Sequence, residues 1–152
     1  MRVGGIHHVG LTTADLDRAR WFFGEVLGLP LLDEGIDASP AIDRIVGMTG
    51  VRLRYAEYDL GAGQILEVLQ YVSPAGVPLR QDVNDPGGAH LALAVDDIAE
   101  AHARLVAHGV AVRSAPVTID EPGGWQGCTV CYATDPDGFT VELIQRPVGT
   151  GL

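Results

Sequence analysis

Four side chains that can hold a metal ion fall at matching places in this 152-residue chain. His8-Val-Gly-Leu-Thr-Thr-Ala-Asp15-Leu returns as His90-Leu-Ala-Leu-Ala-Val-Asp-Asp97-Ile, with the same seven-residue step from His to Asp. Each copy also closes on a run that ends in a carboxylate, Gly63-Gln-Ile-Leu-Glu67 and Gly138-Phe-Thr-Val-Glu142. A duplicated unit with one His and one Glu per copy can assemble two of each around one ion. Two imidazoles and two carboxylates suit Mn, Fe, Co, Ni or Zn and are too rich in nitrogen for Mg or Ca. Four protein ligands leave two octahedral positions, enough for both oxygens of a chelating substrate. A lone strand histidine is more often a satisfied core group, and a glutamate is more often solvated. Here Glu67 and Glu142 sit in the apolar runs Ile-Leu-Glu-Val-Leu and Thr-Val-Glu-Leu-Ile, where an unpaired carboxylate is costly. Symmetry reverses the odds for all four. His7 competes with His8 for the position, but Ala89 fills the matching slot in the repeat, which selects His8. His102 and His108 fall on a helix and read as surface groups.

The elements that must position these groups follow the same repeat. Ile6–Thr13 alternates as a strand, Asp15 is placed to cap a helix, and Leu16, Ala19, Phe22, Phe23, Val26 and Leu27 recur at helical spacing up to Gly28. Short strands are expected near Pro30–Asp33, Val51–Tyr58 and Gln64–Tyr71. The second copy repeats the order: a strand at Ala89–Val95, a helix from Asp97 to His108 ahead of Gly109, and strands near Val110–Val117, Cys128–Ala133 and Phe139–Gln145. Residues 73–87 are rich in Pro, Gly and Asn and read as the linker between a module at 5–72 and another at 88–147. Gly35–Gly50 is the least regular stretch, and its start reads as a mobile loop. Strand phase places His8, Gly10 and Thr12 on one face, and His90, Ala92 and Ala94 on the matching face of the repeat. Small residues flanking a histidine leave room for a ligand cavity, because a face built for packing would be filled.

Composition narrows the function classes. Apolar residues make up 47% of the chain, enough for a core without metal or disulfides. A net charge of −10 repels phosphate backbones and anionic lipid, so neither nucleic acid nor membrane is an expected partner. With no long apolar run or signal-like start, the expected setting is the cytoplasm. All ten basic residues are Arg, which excludes Schiff-base chemistry on lysine. Cys128 and Cys131 spell Cys-x-x-Cys, but they lie in a β-rich run, where residues three apart face opposite ways. A structural role is expected for both.

His-x-x-Leu-x-x-x-Asp-Leu, Val-Leu-Gly-Leu, the paired strands ending at Glu67 and Glu142, and Asp135-Pro-Asp-Gly-Phe-Thr-Val-Glu resemble the vicinal oxygen chelate superfamily of glyoxalases, bleomycin resistance proteins and extradiol dioxygenases. The resemblance spans residues 5–147. It implies an α+β fold of two tandem βαβββ modules forming a half-open β-barrel, one domain over 1–152, with a divalent ion on His8, Glu67, His90 and Glu142. It also implies a homodimer, in which the four ligands come from one chain or from two. The texture is nearest the glyoxalase I and methylmalonyl-CoA epimerase branches. The latter usually carries Gln where Glu67 stands, and a second catalytic Glu where Met48-Thr-Gly-Val51 stands, so the quartet fits glyoxalase I better. Arg52, Arg54 or Arg80 are the cations available for a phosphate-rich coenzyme. The expected activity is a metal-dependent isomerase, epimerase or lyase acting on a small substrate with vicinal oxygens through a metal-bound enediolate. Glu142 would be the base and Glu67 a possible second. An alternative is a binding protein that sequesters an antibiotic or other small molecule, with Tyr55, Tyr58, Trp125 or Tyr132 stacking on it. An extradiol dioxygenase using Fe(II) ranks third, since a fourth protein ligand occupies a position wanted for oxygen or catechol.

Overall fold

A computed structural model describes residues 2–78 and 82–149 of the chain. Two compact units divide it, Met1–Leu79 and Arg80–Leu152, with the boundary inside the stretch read as a linker. Each unit carries one copy of the repeat. Together they give two βαβββ modules and an α+β fold, as the sequence predicts.

In the first unit, strand β1 (His8–Thr12) leads to helix α1 (Leu16–Arg20), which runs on as a π-helix through Trp21–Val26. The Asp15 carboxylate caps α1 by accepting from the N–H groups of Asp17 (3.0 Å) and Arg18 (3.2 Å). In the widened turn, Leu27 N–H donates to the Phe22 carbonyl five residues back at 2.9 Å. Gly28 ends it at φ 73°, a left-handed conformation that disfavours any residue with a Cβ. Strands β2 (Leu31–Asp37), β3 (Arg52–Gly61) and β4 (Gln64–Ser73) complete a sheet ordered β1-β4-β3-β2, with β1 parallel to β4 and the other pairs antiparallel. Phe22, Phe23 and Val26 bury one side of this helix, and Ala56, Tyr58, Leu66 and Val68 bury the sheet face with them.

One expectation for this unit fails. The start of Gly35–Gly50, read as a mobile loop, is instead the end of β2, which extends to Asp37, and the opening of helix α2 (Pro40–Val46). The Ser39 hydroxyl accepts from Ile42 N–H at 3.4 Å, and Pro40 opens the helix, where its missing N–H and fixed φ cost nothing. Ser-Pro marked a helix start, not a loop.

The second unit runs β5 (His90–Ala94), α3 (Ile98–Ala107), β6 (Val117–Thr118), β7 (Thr129–Thr134) and β8 (Thr140–Gln145). Its sheet order, β5-β8-β7-β6, has the same parallel first pair. Asp97 caps α3 by accepting from Glu100 N–H at 2.9 Å, and Gly109 stops it at φ 70°. Ile98 and Leu105 of α3 are buried, as are Val141 and Leu143 of β8. The strand expected over Val110–Val117 is reduced to a bridge at Val112, where Arg113 N–H donates to Tyr132 O at 2.8 Å, and the short β6, because Pro116 between them has no N–H for the ladder. Among the described residues no helix is long and apolar enough to cross a membrane.

Candidate functional site

The parallel pairing in each unit decides where the chemistry sits. Gly10 is level with Glu67 across β1 and β4, and Ala92 is level with Glu142 across β5 and β8. Each histidine lies two residues earlier on its strand, hence on the same face and diagonal to its glutamate. In both first strands this face is the exposed one, with the alternate residues half-buried. His8 Nε2 stands 3.8 Å from Glu67 Oε2, and His90 Nε2 stands 3.0 Å from Glu142 Oε2. A Cβ added at Gly10 would meet Glu67 Oε2 at 3.9 Å, an ordinary contact, in keeping with the alanine that the repeat carries at Ala92.

The structure thus brings His8 together with Glu67 in one unit and His90 together with Glu142 in the other. Among the described residues no group of three or more His, Cys, Asp or Glu is gathered in a metal-holding cluster. The pairs themselves suit an ion. Donors bound at right angles, each about 2.1 Å from the same metal, stand about 3.0 Å apart. The second pair has that spacing and the first is more open. His7 adds a contact without a counterpart in the repeat: its Nδ1 lies 2.9 Å from His8 Nδ1, leaving His8 Nε2 facing Glu67. A hydrogen bond on the far ring nitrogen fixes the tautomer that a ligating histidine needs.

The two pairs differ in enclosure. The Glu142 side chain is 12% exposed and that of Glu67 27%. His90 and Glu142 line a cavity of about 560 Å³, as the small-residue face predicts. Tyr132 and Trp125 form further walls, Val117, Ile119 and Val130 supply apolar surface, and Arg113 and Ser114 complete the polar lining. The Tyr132 phenol is pushed up by burial and by the charge and hydrogen bond of Glu142, against the opposing charge of Arg113.

Several sequence expectations resolve here. Of the four aromatics considered for stacking, Trp125 and Tyr132 reach the cavity. Tyr58 does not: it is 1% exposed, against Phe23. Tyr55 instead donates to Asp33 Oδ2 at 3.1 Å, lying so close over Gly35 that a Cβ there would come within 2.8 Å of its hydroxyl. Arg54 is occupied, donating to Asp17 Oδ1 at 2.8 Å and to Gln70 at 3.2 Å, so it is not free for a coenzyme phosphate. Arg80 lies outside the described residues. Cys128 and Cys131 are free thiols, both buried, and burial raises the Cys131 thiol's pKa. Sequence reasoning missed Arg113 and Ser114. They follow α3 in an irregular stretch with no motif, and only the fold brings them to Glu142.

Comparison with known proteins gives the chain's family and fold. The model of the Glyoxalase/Bleomycin resistance protein/Dioxygenase superfamily matches residues 5–143. A 2-epi-5-epi-valiolone epimerase from Actinomyces sp is 34% identical over 148 residues, covering 95% of this chain and 80% of the relative. A probable lactoylglutathione lyase from Vibrio cholerae is 31% identical, covering 93% and 90%. Among solved structures, a glyoxalase family protein from Bacillus cereus has the same fold with a TM-score of 0.83, at 22% identity and 95% coverage of both chains.

Proposed function

Because the chain belongs to the Glyoxalase/Bleomycin resistance protein/Dioxygenase superfamily, we propose that it is a metal-dependent isomerase, epimerase or lyase. It moves a proton on a small substrate with two neighbouring oxygens. The observation that carries this reading is the duplicated His–Glu pair, each on the open face of adjacent parallel strands. Names of relatives support it from two sides, one an epimerase and one a lactoylglutathione lyase.

His8, Glu67, His90 and Glu142 would hold one divalent ion, of Ni, Co, Zn, Mn or Fe. When bound, the ion polarises a carbonyl and makes the neighbouring C–H acidic. The chain's own groups do the rest. Glu142, the more enclosed carboxylate, takes the proton from one carbon and returns it to the adjacent carbon. Glu67 is available as a second base for a two-sided exchange. Trp125, Val117, Ile119 and Val130 exclude water from the apolar side of the substrate. The working form in this reading is a cytoplasmic homodimer.

The test is α-proton exchange followed by NMR in D2O. The protein, loaded in turn with Ni, Co, Zn and Mn, is offered the glutathione adduct of methylglyoxal and a polyhydroxylated cyclic ketone. Exchange or product with either supports the reading, and Glu142→Gln should lower the rate by about 100-fold or more. Full activity in Glu142→Gln would remove the base. Absence of bound metal and of exchange, together with tight uptake of planar drugs, would leave the second reading, a sequestering protein. Trp125, 55% exposed on the cavity wall, is the feature that favours it.

A further inference from the structure

Duplication makes each copy a control for the other. The residue directly across from Glu67 on the antiparallel neighbour is Glu57, whereas the residue directly across from Glu142 is Tyr132. Side chains so opposed share a face with Cβ atoms about 5 Å apart. Two carboxylates in that relation repel each other. A phenol beside a carboxylate can donate to it, and the β7–β8 register places Tyr132 directly beside Glu142. The same ring lies 5.6 Å from the His90 imidazole, tilted by 34°. Phenol, carboxylate and imidazole line one cavity. In this copy the His–Glu distance is also the shorter, 3.0 Å against 3.8 Å.

We propose that Tyr132 is a positioning residue: its hydroxyl holds Glu142 beside His90 and so makes the second copy the half that moves the proton. Glu67, with Glu57 opposite, has no donor in that place, which leaves it a ligand and only a secondary base. This rests on the proton-transfer reading above and adds to it a division of labour between the two halves. A carboxylate that would serve both as a ligand and as a base needs a group that keeps it from swinging away. A neutral hydrogen-bond donor does this without a charge that would compete with the metal.

Tyr132→Phe keeps the ring over His90 and removes only the hydroxyl. The experiment measures two quantities on the Co2+-loaded wild type, Tyr132→Phe and Glu57→Gln. One is Co2+ affinity; the other is α-proton exchange of dihydroxyacetone in D2O, resolved into rate at saturation and KM. In Tyr132→Phe, loss of a partner that orients a ligand should lower the saturated rate or the Co2+ affinity by about tenfold or more, with KM for the ketone little changed. Glu57→Gln should move neither. Wild-type values for Tyr132→Phe in both measurements, or equal losses in both variants, would overturn the inference. A wild type that binds Co2+ but exchanges nothing would instead overturn the proposed function. Even then, the Co2+ affinities alone would still decide whether Tyr132 holds Glu142.

Discussion

Asp135 stands at the turn that launches the strand carrying Glu142, and its carboxylate accepts from the N–H groups of Asp137 (2.9 Å) and Phe139 (2.7 Å). Burial raises its pKa above the ordinary 3.8, against those backbone hydrogen bonds. Across the window between 3.8 and the raised native value, the folded chain therefore keeps a proton that the unfolded chain has shed. Stability from this group is present below 3.8 and is lost as pH rises through the native value. Asp135→Asn retains an acceptor oxygen and should flatten that slope without loss at neutral pH. Asp135→Ala strands two N–H groups and should cost about 1–3 kcal/mol. Urea unfolding across pH separates the two, and a slope that survives in Asp135→Asn would assign it to another group. At this scale the sequence was most legible where it repeated itself. The repeat foreshadowed the pairing of His8 with Glu67 and of His90 with Glu142, and the caps Asp15 and Asp97 were marked by their place before an apolar helix. Tyr132 was read only as an aromatic near a cavity. Its link to Glu142 depends on β7–β8 register, which no local spacing encodes.

Between strand and helix, a second repeated residue fixes the geometry of the site. Gln70 and Gln145 each follow a site glutamate by three positions, in Glu-Val-Leu-Gln and Glu-Leu-Ile-Gln, and so face the helix side of the sheet. Gln145 Oε1 accepts from Ile98 N–H, the first turn of α3, at 3.0 Å. Gln70 Nε2 donates to Ala14 O at 3.0 Å, and its Oε1 accepts from Leu16 N–H at 3.4 Å. One strand thus presents the carboxylate of a His–Glu pair on one face and clamps a helix start with the other. Asp97 serves the same helix end, accepting from Glu100 N–H. Asp97→Ala and Gln145→Ala should each destabilise by about 1 kcal/mol, which corresponds to a fall in Tm of roughly 2–4 °C. Thermal melts check this, and no shift in Gln145→Ala would show that water replaces the clamp. Helix positions were readable because caps and glycine stops are local chemistry. Helix α2 was not, since Ser39-Pro40 serves a turn or a helix start equally well until β2 fixes its approach. The reduced β6 was also unreadable: Val112 bridges to β7, but Ser114-Ala-Pro116 breaks the ladder before Val117.

For the whole molecule, duplication yields two half-sites that are individually poor metal sites, because one imidazole and one carboxylate leave most of an ion's coordination to water. Joined on one ion they would make a full set, and that has a thermodynamic signature independent of any substrate. An ion that binds only the folded protein, at a free concentration a hundredfold above its Kd, stabilises it by about 2.7 kcal/mol. For a chain of this size that raises Tm by roughly 5–10 °C. Chelation should therefore lower Tm, and re-addition of Co2+ or Ni2+ should restore it. If both pairs serve one ion, His8→Ala and His90→Ala should each remove most of the rise, and the double variant should lose little more. Strong non-additivity of this kind is expected when residues act as one unit. Two separate sites would give the opposite pattern, with each single variant keeping part of the rise and the double losing both parts. In a homodimer the same melts should shift with protein concentration, because dissociation accompanies unfolding. Additive losses from His8→Ala and His90→Ala would sink the shared ion, and with it the reason for two carboxylates of unequal enclosure to act on one substrate.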